Sequence, residues 1–452
     1  MLAESSVVAS RASDPREKSK KYLVGGIASI NRKADPDILF QSAEGAHLTD
    51  SDGKKYIDYH AAFGPYVLGH NDAAVNAAVV NVLSEQHSLY GSGTTSLEGD
   101  LAELICGCAP FLESVALLNT GSEATYQALR LARAATGRDH IIVMQGGYNG
   151  WHNDVACNLM TPLKDLGERR TGDEYPFLGI SAGIPQSHKD LVHPVEYNDL
   201  DAVRAVASKY PTAAIILEPI LQNIGVVKPN LGYLQELRKL ADELGFLLIF
   251  DEVKTGFRHA LGGYAALSGV NPDLAVYGKA IANGYPVAAI GGRKDILELF
   301  NTADATKRVL LAGTYNAHPV MVAAAIATIQ HLKSNDGEVY RRFEEQGAWL
   351  QNALENVGKR LGVEMVVARQ GSALCPYFMD HLPVDWYDLA SHHDFDLDQR
   401  VRKQMIADGV YVFPIAVKQW SISAAHTQHD LEHAVEAFEA GLAKSIVDRN
   451  AK

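Results

Sequence analysis

The sequence predicts an α/β protein: a large domain with a mostly parallel sheet flanked by helices, plus a smaller α+β domain from the N- and C-terminal segments. Three observations predict it. Short, nearly continuous apolar runs recur at 114–119, 140–144, 213–218, 247–253, 274–277 and 287–291, as strands buried on both faces require. Helical patterns fill the intervals between them, which is how parallel strands are connected. Past about residue 330 the pattern changes to charged amphipathic helices.

In chain order, residues 45–59 read as a hairpin. Alternating Ala46-His47-Leu48-Thr49 leads to Asp52-Gly53, and Lys55-Tyr56-Ile57-Asp58-Tyr59 returns. Residues 1–70 are assigned to the small domain, 71–330 to the large domain and 331–452 to the C-terminal part of the small domain. Within the large domain, a helix over 123–136 carries Ala128, Leu129, Leu131, Ala132 and Ala135 on one apolar stripe. Farther on, helices over 337–361 precede a strand-like stretch at 373–379. A loop rich in His and Asp follows, and a last helix starts near Asp430.

Composition narrows the function. The 452 residues are 47% hydrophobic and 21% charged, ordinary for a globular chain long enough to bury a large core. A net charge of −13, spread along the chain, argues against nucleic acid as a partner. Cys106, Cys108, Cys157 and Cys375 are too scattered for a disulfide framework or a zinc site and are expected as core filler. The first twenty residues offer only Val7, Val8 and Ala9 as an apolar run, whereas a secretory signal needs roughly 7–15. The apolar run at 320–329 is far short of the roughly 20 residues that span a bilayer. A cytoplasmic protein without membrane contact is expected.

Open α/β sheets bind ligands at the carboxyl ends of their strands. Four such ends carry informative residues. Asp251 ends an apolar strand and shares a face with Val253, while Glu252 points away; a buried carboxylate beside an apolar surface suits a cation, or caps a turn. Lys279 follows another apolar strand, with no other charge between Leu274 and Ile290. Such a lysine is either a desolvated nucleophile or a surface residue snorkelling outward. Asn119-Thr120-Gly121-Ser122-Glu123 lies between strand and helix, where free N–H groups and the helix dipole form an anion cradle; Thr120 and Glu123 equally fit a capping box. The loop Gln145-Gly146-Gly147-Tyr148-Asn149-Gly150 exposes Tyr148 as a stacking surface, or is merely flexible. No Walker loop or G-x-G-x-x-G follows a strand. Together, a phosphate cradle, an aromatic face, a carboxylate and a desolvated lysine match what pyridoxal phosphate requires.

The series resembles the class III, fold-type-I pyridoxal-phosphate aminotransferases, and within them the glutamate-1-semialdehyde aminomutase branch, from about Gly25 to Ala437. The resemblance rests on Asp251-Glu252-Val253-x-Thr255-Gly256-Phe257-Arg258 and Gly278-Lys279. It is also carried by Tyr56-Ile57-Asp58-Tyr59, Gly64-Pro65, Leu68-Gly69-His70 and Gly313-Thr314. It implies that Lys279 forms the Schiff base and shuttles the substrate proton, and that Asp251 keeps the ring nitrogen protonated. Val253 and Tyr148 would sandwich the ring. Gly121 and Ser122 would hold the phosphate, and Asn223 would approach the ring hydroxyl. Thr314 corresponds to a phosphate ligand supplied by the neighbouring subunit, which implies a homodimer. Ser29 and Arg32 correspond to the residues that grip a substrate carboxylate.

Two residues depart from the aminomutase pattern. Phe63 replaces its pocket tryptophan, and Lys418 stands where a glutamate is expected; residues 160–186 also diverge from its gate segment. The resulting expectation is an aminotransferase that moves an amino group between a carboxylate-bearing amine and a 2-oxo acid, with an intramolecular aminomutase or a racemase on the same site as the alternative. The pairs His392-His393-Asp394 and His426-x-x-His429 could be drawn as metal ligands but are expected as solvated loop and cap residues, so no metal is assigned.

Overall fold

The computed structural model describes residues 15–450; the Val7–Ala9 run lies outside them. The hairpin expected at 45–59 forms as β2 after a first strand, β1 (Phe40–Glu44): β2 (His47–Asp50) and β3 (Lys55–Asp58) pair antiparallel. Asp50 fixes the turn between them, accepting the N–H groups of Asp52 and Lys54 at 2.9 Å.

The large sheet follows, made of β4 (Ser114–Leu118), β5 (His140–Met144), β6 (Val192–Val195), β7 (Thr212–Leu217), β8 (Leu247–Asp251), β9 (Leu274–Tyr277) and β10 (Ala288–Gly292). Its order is β4-β10-β9-β8-β7-β5-β6. The run from β9 to β6 is parallel, and only β10 runs against its neighbours β4 and β9. The carboxyl ends of β4, β5, β7, β8 and β9 therefore open on one side of the sheet. β7 and β8 are buried along their whole length, which is why their sequences read as unbroken apolar runs.

The C-terminal part supplies β11 (Val366–Gln370), β12 (Ala373–Tyr377), β13 (Val410–Tyr411) and β14 (Trp420–Ser421). β13 joins the N-terminal strands by pairing parallel to β3, Val410 opposite Ile57 and Tyr411 opposite Asp58. Chain ends far apart in sequence thus share one sheet. The helix Pro319–Leu361 is broken at Ser334–Gly337, and the change of pattern near 330 falls just before that break.

One expectation is corrected. The His- and Asp-rich stretch after Met379 is not a loop but two helices, Trp386–His392 and Phe395–Ala407. Asp385 caps the first by accepting the Asp388 N–H at 2.8 Å, and Asp394 caps the second by accepting the Leu397 N–H at 2.9 Å. Among the described residues no helix is long and apolar enough to cross a membrane.

Candidate active site

The helix after β4, Gly121–Thr136, begins with a complete capping box. Glu123 accepts the Thr120 N–H at 3.1 Å and the Asn119 N–H at 3.0 Å, while Thr120 Oγ1 accepts the Glu123 N–H at 3.2 Å. The box leaves the N–H groups of Gly121 and Ser122 without a protein acceptor among the described residues. Both readings of this segment therefore hold at once: the helix is capped, and two donors remain for an anion. Space is kept by two glycines. A Cβ on Gly121 would lie 2.9 Å from Val253, and one on Gly150, whose φ is +124°, would lie 2.9 Å from Ser122 Oγ.

Asp251, 3% exposed, ends β8. Its carboxylate accepts from Asn149 Nδ2 at 2.8 Å and from the Val253 N–H at 3.0 Å. Burial raises its pKa against the opposing pull of Asn149, the Val253 N–H and Lys279. Alternation along the strand turns Glu252 the other way. Its carboxylate is closed off by Thr255 Oγ1 and the N–H groups of Tyr264 (3.0 Å) and Ala265 (2.8 Å). Glu252 is thus structural, and Asp251 faces the site.

Lys279 follows β9 with a left-handed φ of +49°, a conformation that costs energy outside glycine and that concentrates at functional positions. Its ammonium is desolvated, which lowers its pKa; Asp251 and Glu218 act in the opposite sense and Arg258 in the same sense. Lysine and aspartate therefore act on each other across the ends of adjacent strands.

Tyr148 is half-buried in the loop after β5. Its N–H donates to Glu218 Oε1 at 3.0 Å, and burial together with Asp251 raises its phenol's pKa. Glu218 also accepts the Gln222 N–H at 3.0 Å, and burial pushes its carboxyl up to about 7. In the loop after β7, Asn223 Nδ2 is buried with no hydrogen-bond partner. A buried orphan donor is costly and calls for an explanation; an acceptor on a bound molecule supplies one. With the cradle at Gly121–Ser122, the carboxylate at Asp251 and the amine at Lys279, these residues fit pyridoxal phosphate.

The remaining expected residues fall in two places. Phe63 packs in an aromatic cluster with its ring centroid 4.3 Å from His60 and 5.0 Å from Phe413. Lys418 is half-buried and donates to the Asn223 carbonyl at 2.8 Å. Arg32 is exposed and acts on the Tyr66 phenol, while Ser29, just before it, is half-buried. Thr314 is exposed, in a loop that touches the β4 end through Asn119 Nδ2 and Asn316 Oδ1 at 2.9 Å. Sequence reasoning missed Asn149, Glu218 and Lys254. The Lys254 ammonium donates to the Gln222 carbonyl at 2.8 Å, and burial, then Lys279, hold it well below its ordinary pKa. It stands between Val253 and Thr255 in a motif whose other letters carried the resemblance, and nothing at that position signalled a buried amine.

The histidine clusters are corrected in part. His393 is buried between the Phe378 N–H (3.1 Å) and Asp398 (3.3 Å), and His426 is buried against Ser423 (2.9 Å). Neither is solvated. His392 sits exposed beside His381 and Asp388, the three ligand atoms within 4.8 Å of one another. His381 pairs with Asp388 (3.0 Å) and Asp380, which raise its pKa, and this pairing accounts for the arrangement.

Comparison with known proteins agrees with this geometry. Residues 29–439 match the Aminotransferase class-III family. A glutamate-1-semialdehyde 2,1-aminomutase of Desulfatibacillum aliphaticivorans is 37% identical over 437 residues, covering 94% of this chain and 98% of that protein. An omega-transaminase from Sphaerobacter thermophilus superposes with a TM-score of 0.88 at 27% identity, covering 97% of this chain and 99% of that one. A β-phenylalanine aminotransferase from Variovorax paradoxus gives 0.81 at 28%, covering 96% and 93%. The chain belongs to the class-III aminotransferases, pyridoxal-phosphate enzymes of fold type I.

Proposed function

We propose that this chain is an aminotransferase that moves an amino group between a carboxylate-bearing amine and a separate 2-oxo acid, working as a cytoplasmic homodimer. The observation that carries the amine chemistry is Lys279 and Asp251 acting on each other at the ends of adjacent strands, with the orphaned Asn223 Nδ2 in the loop after the next strand, β7. Pyridoxal phosphate, when bound, supplies the electron sink that lets an amino group leave one carbon and enter another. Gly121 and Ser122 hold the phosphate with free N–H groups. Asp251 keeps a proton on the ring nitrogen, and Asn149 keeps Asp251 oriented. Val253 and Tyr148 pack the two ring faces. Lys279 would anchor the cofactor and carry a proton to and from the substrate carbon; its lowered pKa would leave a larger share of neutral amine for that work. Ser29 and Arg32 take the substrate carboxylate, for which a guanidinium is suited by its paired donors. The exposure of Thr314 supports its reaching a neighbouring subunit's site.

The relatives at 35–37% identity carry the aminomutase name and favour the second reading, transfer within one molecule. The site chemistry favours transfer between molecules. Moving an amine along one chain requires the pocket to accept amino groups at two carbons. Lys254 lies within electrostatic reach of both Lys279 and Lys418, surroundings that disfavour a further charged amine. Steady-state assays with donor alone, acceptor alone and both together test the proposal. Sustained turnover only with both is expected; isomerisation of glutamate 1-semialdehyde with no acceptor present would establish the mutase instead.

A further inference from the structure

We infer that Lys418, with Lys254 beside it, forms a subsite for a second carboxylate, so that the enzyme takes dicarboxylic amino and oxo acids in preference to monocarboxylic ones. This deepens the transferase reading and rests on it. The two ammonium groups are anchored on consecutive peptide carbonyls, Lys254 on Gln222 and Lys418 on Asn223, each at 2.8 Å. Among the described residues neither has a carboxylate within ion-pairing distance. An ammonium has three protons to donate, so each retains donors after its carbonyl is satisfied. Both side chains are half-buried.

The charge balance points the same way. Lys254 lies within electrostatic reach of Lys279, Lys418 and Arg258, and Glu218 is the carboxylate that acts on Lys254, Lys279 and Lys418 alike. Arg258 is buried on neutral oxygens alone, those of Gly64, Ser372 and Ile422. With the cofactor in place, Lys279 is used in its attachment and Asp251 faces the ring nitrogen. Glu218 is then the carboxylate left to Lys254 and Lys418. Burial disfavours the charged form of both lysines, and a substrate carboxylate placed between them would favour it.

Lys418 is also held in place at a cost. Val417, just before it, has a φ of +56°, a genuine outlier for a β-branched residue. Its N–H donates to Asp398 at 2.6 Å, and Asp398 is itself fixed by Arg402 at 2.6 Å and His393 at 3.3 Å, all buried. His60 stacks on Phe413 with ring centroids 4.6 Å apart, and burial holds its pKa down to about 4, so it is neutral.

Isothermal titration of the cofactor-loaded full-length protein with glutarate and with butyrate, neither of which reacts, tests the subsite. Glutarate is expected to bind at least about tenfold tighter, the value of roughly one charge-assisted contact. Lys418→Met should lose most of that advantage while leaving butyrate nearly unchanged, and Lys418→Arg should keep it; Lys254→Met should show a smaller loss. Cofactor absorption and melting temperature report that each variant is folded and loaded. Equal affinity of wild type for the two acids, or unchanged glutarate affinity in Lys418→Met, overturns the proposal. If glutarate is preferred but the donor–acceptor assay shows isomerisation of a single substrate, the subsite stands and the transferase reading falls.

Discussion

Lys279→Ala should remove covalent cofactor attachment and reduce amino transfer by at least about a thousandfold, the scale expected when a covalent anchor and proton carrier are lost together. Lys254 is not placed to replace it. Its amine is held on the Gln222 carbonyl, and Glu218 is the carboxylate that acts on it, whereas Asp251 acts on Lys279. The variant should fold, because Lys279 makes no hydrogen bond to another described side chain. Its activity is measured by product formation with saturating cofactor. Its fold is measured by melting temperature, which should move little. Retention of near wild-type turnover would remove Lys279 from the chemistry.

Asp251→Ala should leave the cofactor attached yet lower kcat/KM by roughly 10²–10⁴-fold, the range associated with losing a positioned acid or base partner. The physical reason is the proton that Asp251 would hold on the ring nitrogen, a role its neighbour Glu252 cannot take because it is closed off on the opposite face of the strand end. Stability should also fall, by about 1–3 kcal/mol, because the buried Asn149 amide loses its acceptor. Kinetics and denaturant midpoint together separate the two effects. Asp251→Asn keeps the volume and most of the stability but, being neutral, should recover little activity.

The strand ends were legible because burial on both faces writes itself as an apolar run, and the first polar residue after each run falls where ligands bind. Asp251 and Lys279 were singled out this way, and alternation along β8 turned Glu252 aside, as its hydrogen bonds show. β6 escaped notice because Val192-His193-Pro194-Val195 is four residues long and broken by a proline, which an edge strand tolerates and a pattern search discounts. The helices at Trp386–His392 and Phe395–Ala407 were announced by Asp385 and Asp394, N-cap residues placed before apolar positions. Their crowded His and Asp composition obscured that signal. Asn149 and Glu218 could not be assigned from letters at all, because what matters is which loop carbonyl or carboxylate meets which N–H after the loops fold. The charge of the pocket belongs to the same class. Lys418 was recognisable as a reversal, but its pairing with Lys254 needed the β7 loop to bring the Gln222 and Asn223 carbonyls between them.

The account depends on one amine among several in the same pocket being the one that meets the cofactor. Borohydride reduction of the loaded enzyme, followed by proteolysis and mass spectrometry, reads that choice directly. The account predicts a pyridoxyl adduct on the peptide containing Lys279 and on that residue alone. An adduct on Lys254 or Lys418, or equal labelling of all of them, would contradict it.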